Sequence, residues 1–84
     1  MNTATATAEV RALARIRQMA RDGRARSIRE GAAIGVAELS RYLGCDPRSI
    51  RRWEEGERIP SERLAFKWLA LLDALATPED SDAA

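Results

Sequence analysis

The 84-residue sequence contains no histidine and a single cysteine. Zinc sites and Ser-His or Cys-His catalytic groups require these residues, so both are excluded. One cysteine cannot form an intrachain disulfide, which fits a reducing, intracellular environment. No apolar run approaches the roughly 20 residues that a membrane-spanning helix needs. The opening segment, MNTATATAEV, lacks the basic and apolar regions of a signal peptide.

Large apolar side chains are also scarce. The chain has two Trp, one Tyr and one Phe, and 16 of its hydrophobic residues are alanine. The remaining apolar residues are close to the lower limit for a domain that folds alone, so we expect one small domain. No segment alternates apolar and polar residues over the length of a strand, and β-branched residues are few. The composition therefore predicts an all-α protein.

The charges are balanced in number but unevenly placed. Thirteen of the 14 basic residues are arginine, and seven of these lie within residues 11–29. The last six residues, EDSDAA, hold three acids and no base. This distribution permits nucleic-acid binding without requiring it. An arginine face on an alanine-rich helix is usually only a solvated surface. We expect this of four arginines in the first helix: Arg11, Arg15, Arg17 and Arg21.

The apolar residues near the start of the chain recur with the period of an α-helix. They predict a helix over residues 8–21 and a short helix over residues 24–31. The Asp-Gly pair between them either separates two helices or only weakens a single one. Residues 1–7 are expected to be a disordered lead, and residues 77–84 a disordered acidic tail. The folded domain would then be residues 8–76.

The middle of the chain, residues 36–55, has the clearest pattern. Apolar residues at positions i, i+3 and i+7 predict a short helix over residues 36–43. Gly44 fits the left-handed residue that ends a helix. Asp46 is suited to cap the next helix, and Pro47 to begin it, because proline has no backbone N–H that would need a partner. Two short helices joined by such a turn form a helix-turn-helix.

The second helix of this motif, residues 47–55, has two different faces. Ile50 and Trp53, three positions apart, are predicted to point into the core. The opposite face carries three arginines: Arg48, Arg51 and Arg52. A guanidinium group can bond to O6 and N7 of guanine, and it can also pair with a phosphate. A helix with this outer face suits the major groove of DNA.

The final helix, predicted over residues 61–76 with Ser61 as its cap, is apolar around more of its circumference than one contact surface needs. The surplus can be covered by a second copy of the chain in a homodimer. It can equally be covered by the N-terminal helix folding back, and the sequence favours neither arrangement.

Residues 24–61, RARSIREGAAIGVAELSRYLGCDPRSIRRWEEGERIPS, resemble the DNA-binding domain of the lambda-repressor/Cro class, also called the XRE-type helix-turn-helix. The resemblance is carried, in order, by Ile28-Arg29, Ala37-Glu38-Leu39, Leu43-Gly44, Ile50, Trp53-Glu54, Gly56 and Pro60. It implies a compact bundle of four to five helices in which residues 47–55 are the recognition helix. It also implies a homodimer that binds an inverted-repeat operator in double-stranded DNA. The two copies would associate through helix 61–76 or through the N-terminal helix.

The resemblance also assigns roles to individual residues. Arg48 and Arg52 would read bases, while Ser49 and Arg51 would contact bases or phosphates. Arg58, after the recognition helix, would contact the DNA backbone of the same half-site. Further backbone contacts are expected at three positions: Val36, Arg41 and Pro47.

The sequence departs from the family pattern at two places. Gly35 and Val36 stand where the family commonly has Ser or Thr followed by a Gln that grips a phosphate. Val36 offers only its backbone N–H there. Glu55 and Glu57 repel phosphate unless they pair with neighbouring arginines. The electrostatic part of binding is therefore either weak or supplied by the N-terminal arginine helix.

Three other residues of the motif have a structural interpretation. Glu54 is expected to tie helix ends together. Cys45 is expected to be a buried packing thiol, with a redox switch as the less favoured alternative. Tyr42 is expected to be half-buried packing.

The sequence is compatible with three functions. The favoured one is a sequence-specific transcriptional regulator, a bacterial or phage repressor of the Cro type, in the bacterial cytoplasm. The second is an excisionase-like factor that bends DNA, which usually carries a β-hairpin wing. The third is an antitoxin or other protein-interaction module on the same fold. We expect no enzymatic activity, because so short a chain has little room for a deep cleft. We also expect no cofactor and no metal, and no membrane attachment, since the apolar sector of the N-terminal helix is mostly alanine and has no aromatic residue.

Overall fold

The computed structural model describes residues 3–76, with side chains from residue 6 onward. This part of the chain contains five helices and no strand. They are α1 (Thr3–Arg21), α2 (Arg24–Gly31), α3 (Val36–Leu43), α4 (Pro47–Glu54) and α5 (Glu62–Leu75). The all-α prediction and the helix-turn-helix are confirmed. The predicted acidic tail, residues 77–84, lies outside the described residues.

Helix α1 begins at Thr3, so residues 3–7 are helical rather than part of a disordered lead. Alanine alternates with threonine in this stretch, and alanine has the highest helix propensity of any residue. Lengthening a helix that already exists needs no new nucleus, so a segment with nothing to bury can still be helical. The periodicity of buried residues did not detect this extension because it is insensitive to propensity.

The Asp22-Gly23 pair separates α1 from α2. Gly23 has a φ of 85°, in the left-handed region where a side chain would be strained. Asp22 accepts a hydrogen bond from the backbone N–H of Arg24 at 3.0 Å, and a second from Arg24 Nε at 3.0 Å. The carboxylate thus satisfies a free donor at the start of α2. Residues 8–31 therefore belong to two helices.

The core is formed by one inward face of each helix. Its largest fully buried side chains are Ile16, Leu39, Ile50, Trp68 and Leu72. The Trp53 and Trp68 rings lie against each other with centroids 5.4 Å apart and planes tilted by 44°. Offset, tilted aromatic pairs of this kind contribute beyond the area that they bury. The contact joins α4 to α5 at the centre of the protein.

Helix α1 packs along α5 and covers much of the surplus apolar surface. Ile16 and Met19 of α1 are buried, and Arg15 forms an ion pair with Asp73 of α5 at 2.8 Å. Of the two ways to cover α5, the N-terminal helix folding back is the one observed. Four apolar side chains of α5 stay half-buried: Leu64, Phe66, Leu71 and Leu75.

A buried ion pair ties α2 to α4. Arg29 Nε donates to Glu54 Oε2 at 2.7 Å and Arg29 Nη2 to Oε1 at 2.9 Å, with side chains only 9% and 5% exposed. The remaining Nη1 donates to the Ile34 carbonyl at 2.9 Å, in the connection before α3. The hydrogen bond to Glu54 raises the pKa of Arg29 above its usual value, so its charge is permanent. The prediction that Glu54 ties helix ends together is confirmed.

Glu54→Gln is expected to lower the free energy of unfolding by about 3–5 kcal/mol, because it leaves the Arg29 charge buried without its counter-ion. Urea unfolding followed by tryptophan fluorescence measures this, since Trp53 and Trp68 are both buried. Glu55→Gln, on the neighbouring exposed residue, is the matched control and should change stability by less than about 0.5 kcal/mol. Equal, small effects of the two substitutions would contradict the role given to the pair.

Candidate nucleic-acid interface

The two faces of α4 are as the sequence predicts. Ile50 is fully buried and Trp53 is 5% exposed. Arg48, Arg51 and Arg52 are all exposed on the other side. Arg51 and Arg52 form no ion pair with any residue that the structure describes. Among residues 3–76, neither α1 nor α5 covers these three arginines, so their side chains face the solvent.

The start of α4 is capped by Asp46. Its Oδ1 accepts a hydrogen bond from the Arg48 backbone N–H at 2.7 Å, and Pro47 occupies the first helical position. The Arg48 side chain also donates to both carboxylate oxygens, from Nε and Nη2, each at 3.3 Å. These hydrogen bonds lower the pKa of Asp46, those from the Arg48 side chain more than the one from its backbone. Because the Arg48 side chain is 77% exposed, the pair is weak and the guanidinium is free to exchange partners.

The turn before α4 also has its predicted geometry. Gly44 has a φ of 75°, and the backbone N–H groups of Gly44 and Cys45 both donate to the Ser40 carbonyl, at 2.8 and 3.0 Å. Cys45 is half-buried against the core, and this burial, followed by the charge of Asp46, raises the pKa of its thiol. A thiol held protonated in this way is a poor nucleophile. The packing interpretation of Cys45 therefore stands over the redox one.

Val36 and Arg51 line one cleft between α3 and α4, together with Arg26 and Glu55. Val36 is the first residue of α3, so the start of this helix lies beside Arg51 of α4. Gly35, just before it, donates its N–H to Glu38 Oε1 at 3.1 Å. Val36 and Arg51 thus line the same cleft, and the phosphate contact that the resemblance implies there stays a prediction.

The other expected contact residues are distributed around this face. Ser49 and Pro47 are half-buried in the first turn of α4. Arg41 is exposed on α3, and no hydrogen bond or ion pair of the described residues joins it to α4. Tyr42 differs from expectation, because it is 56% exposed and has Lys67 Nζ 5.1 Å from its ring centroid. An aromatic ring at the end of α3 is therefore held by a cation on α5 rather than by the core.

Arg58 lies in the loop that follows α4. Gly56 adopts a φ of 75°, and the N–H groups of Glu57 and Arg58 turn back to the Arg52 carbonyl at 2.9 and 3.4 Å. These two hydrogen bonds hold the loop against the end of α4. The Arg58 side chain lines a groove of about 340 Å³ that it shares with Arg17 and Arg21 of α1. The sequence did not predict that these three arginines share a groove, because no local pattern relates residues so far apart in the chain.

Glu55 and Glu57 are exposed, and within residues 3–76 neither forms an ion pair with an arginine. Their repulsion of phosphate is therefore not relieved by neighbouring guanidinium groups. The positive charge on this side of the protein must outweigh them from elsewhere if DNA binds here.

The fold and this face together define a helix-turn-helix protein. The sequence profile of a helix-turn-helix family matches residues 26–77, which is more than half of the chain. The protein therefore belongs to the helix-turn-helix family of the XRE, or lambda-repressor-like, type, whose members are DNA-binding regulators. Searches of curated proteins and of solved structures found no match. Within the described residues, no helix is long and apolar enough to cross a membrane.

Asp46→Ala is expected to lower Tm by about 5 °C through loss of the helix cap. Asp46→Asn should lose much less, because asparagine keeps the capping oxygen. The pKa of Asp46 is lowered on folding, so the stability due to its charge is complete above the unfolded pKa of about 3.9 and is lost as pH falls through the folded pKa. Thermal unfolding of both variants from pH 7 to pH 3 measures this. A Tm difference between the wild type and Asp46→Asn that stays constant on acidification would contradict the charge effect.

Proposed function

We propose that the protein is a sequence-specific transcriptional regulator that binds operator DNA through α4. The observation that carries this proposal is the exposed face of Arg48, Arg51 and Arg52 on a helix whose other side is anchored by Ile50 and Trp53. The buried anchor fixes the orientation of the α4 backbone, so the helix itself needs little ordering on binding, whereas the exposed arginine side chains still have to be ordered.

In this proposal Arg48 and Arg52, four positions apart, face the bases in the major groove. Each can make a bidentate contact with guanine. Ser49 and Arg51 contact a base or a neighbouring phosphate. Arg58 and the backbone N–H of Val36 hold the DNA backbone on either side of α4, and the remaining backbone contacts are Arg41 and Pro47.

The regulator acts as a homodimer on an inverted repeat, because a two-fold dimer presents α4 to two equivalent half-sites. The half-buried apolar residues of α5 and the N-terminal helix are the candidate dimer surfaces. The bound dimer represses by blocking polymerase or a competing regulator. The setting is the bacterial cytoplasm, with a bacterial or a phage genome as the source.

The excisionase-like alternative is less well supported. The loop after α4 leads directly into α5, and residues 3–76 include no β-hairpin that could serve as a wing. The protein-interaction alternative has one observation in its favour, the unpaired Glu55 and Glu57 beside the proposed phosphate path. The following experiment distinguishes both alternatives from the proposed regulator.

Selection of bound sequences from random duplex DNA tests the proposal directly. The expected result is a palindromic consensus whose half-site centres are about 10 bp, or one helical turn, apart. Failure to enrich any sequence, together with a stable complex with another protein recovered from cells, would favour the protein-interaction module. An asymmetric site at which the DNA becomes bent would favour the excisionase-like factor.

Arg48→Ala and Arg52→Ala are each expected to weaken binding to the selected site by about 1–3 kcal/mol and to relax the preference at one base pair per half-site. Titration of the selected duplex and of single-base variants measures both effects. Arg11→Ala is the control, since Arg11 is exposed on α1 and its substitution removes one positive charge at a site away from α4. The base-reading roles would be wrong if all three variants lost affinity equally on every sequence.

A further inference from the structure

The groove shared by Arg17, Arg21 and Arg58 is strongly basic. It lies between the second half of α1 and the loop after α4, with Ile16 and Trp53 in its lining. No acidic residue lines it. All three arginines are exposed, so their charges are available to a ligand.

These three charges have no evident role in holding the fold together. Among the described residues none of them forms an ion pair, whereas Arg15 on the same helix pairs with Asp73 at 2.8 Å. Arg17 and Arg21 are four positions apart on α1, where like charges destabilise a helix by about 0.2–0.5 kcal/mol. Concentrated, unpaired guanidinium groups are the usual means of binding phosphate.

The groove continues the proposed DNA-binding face. The Arg58 backbone N–H bonds to the Arg52 carbonyl, so the rim of the groove begins at the end of α4. Arg21 lies against the same loop, because a Cβ atom placed on Gly56 would be 3.6 Å from Arg21 Cγ. The groove therefore adjoins the end of α4, with Arg58 in this loop, Arg21 against it, and the exposed Glu55 and Glu57 beside them.

We propose that Arg17 and Arg21 bind a phosphate of the DNA backbone just outside the half-site that α4 reads. Helix α1 precedes the family match at residues 26–77, so the contact belongs to this chain's own N-terminal helix. It supplies attraction that offsets the unpaired Glu55 and Glu57. The proposal rests on the proposed function, because it requires α4 to lie on DNA.

The test compares Arg21→Ala and Arg17→Ala with Arg11→Ala, which removes one charge from the same helix outside the groove. Binding to the selected duplex is titrated at several salt concentrations. Each protomer would lose one phosphate contact and the dimer two, so the slope of log K against log salt should fall by about 1.8, or about 0.9 per contact, and binding should weaken. The effect should be the same on selected and unrelated sequences, and Arg21→Lys should restore most of it.

A hydroxyl-radical footprint provides a second readout. In the Arg17→Ala/Arg21→Ala double variant, protection should be lost at the outer edge of each half-site while the consensus stays unchanged. These sites are exposed on a helix, so alanine should not lower Tm, and thermal unfolding checks this.

Two outcomes overturn the inference, and they are distinguishable. If the wild type selects an operator but Arg17→Ala and Arg21→Ala match Arg11→Ala in salt slope and footprint, the α1 contact is wrong and the function of α4 stands. If the wild type enriches no sequence and binds no duplex at low salt, the proposed function fails and the α1 contact fails with it.

Discussion

The burial of Ile50 and Trp53 is the contact on which the rest of the interface depends. Both side chains lie on one face of α4, and Trp53 packs on Trp68 of α5 with ring centroids 5.4 Å apart. Each helical residue is rotated by about 100° from the one before it, so anchoring these two side chains determines where every other side chain of α4 points. The three arginines of α4 are exposed because Ile50 and Trp53 hold the opposite face of the helix in the core.

The Arg29–Glu54 pair complements this apolar anchor. Packing of apolar side chains is non-directional, whereas a bidentate ion pair has a defined geometry. The pair fixes the end of α4 against α2, and the third bond of Arg29, to the Ile34 carbonyl, holds the connection that leads into α3. One buried guanidinium therefore joins three segments of the chain: α2, the end of α4 and the connection before α3.

Charge on the surface follows a different logic. Asp46 stabilises the start of α4 and also binds Arg48, so the capping residue and a proposed base-reading residue share one carboxylate. In the DNA-bound state that we propose, Arg48 would exchange this exposed partner for a base. Within residues 3–76, Glu55 and Glu57 pair with no arginine, so they repel phosphate. The attraction to DNA that offsets this repulsion must come from arginines outside α4. Helix α1 thus has two consequences, since it covers α5 with its apolar face and brings arginines to the loop after α4.

Local rules in the sequence were sufficient for the elements of the motif. Helix periodicity, the left-handed Gly44, the Asp46 cap and the Pro47 start depend only on residues a few positions apart, and the structure has them all. The outward direction of Arg48, Arg51 and Arg52 followed from the same spacing. Local spacing alone therefore defines the helix-turn-helix and the two faces of its second helix.

Which distant segments meet depends on how the helices pack. The packing of α1 on α5, the pairing of Arg29 with Glu54 25 positions away, and the meeting of Arg17 and Arg21 with Arg58 all join distant parts of the chain. No local pattern encodes such pairings, because they result from how the helices pack together. Arg17 and Arg21, which the sequence predicts to be solvated charges, thus line a basic groove after packing, and Arg29 is buried in an ion pair.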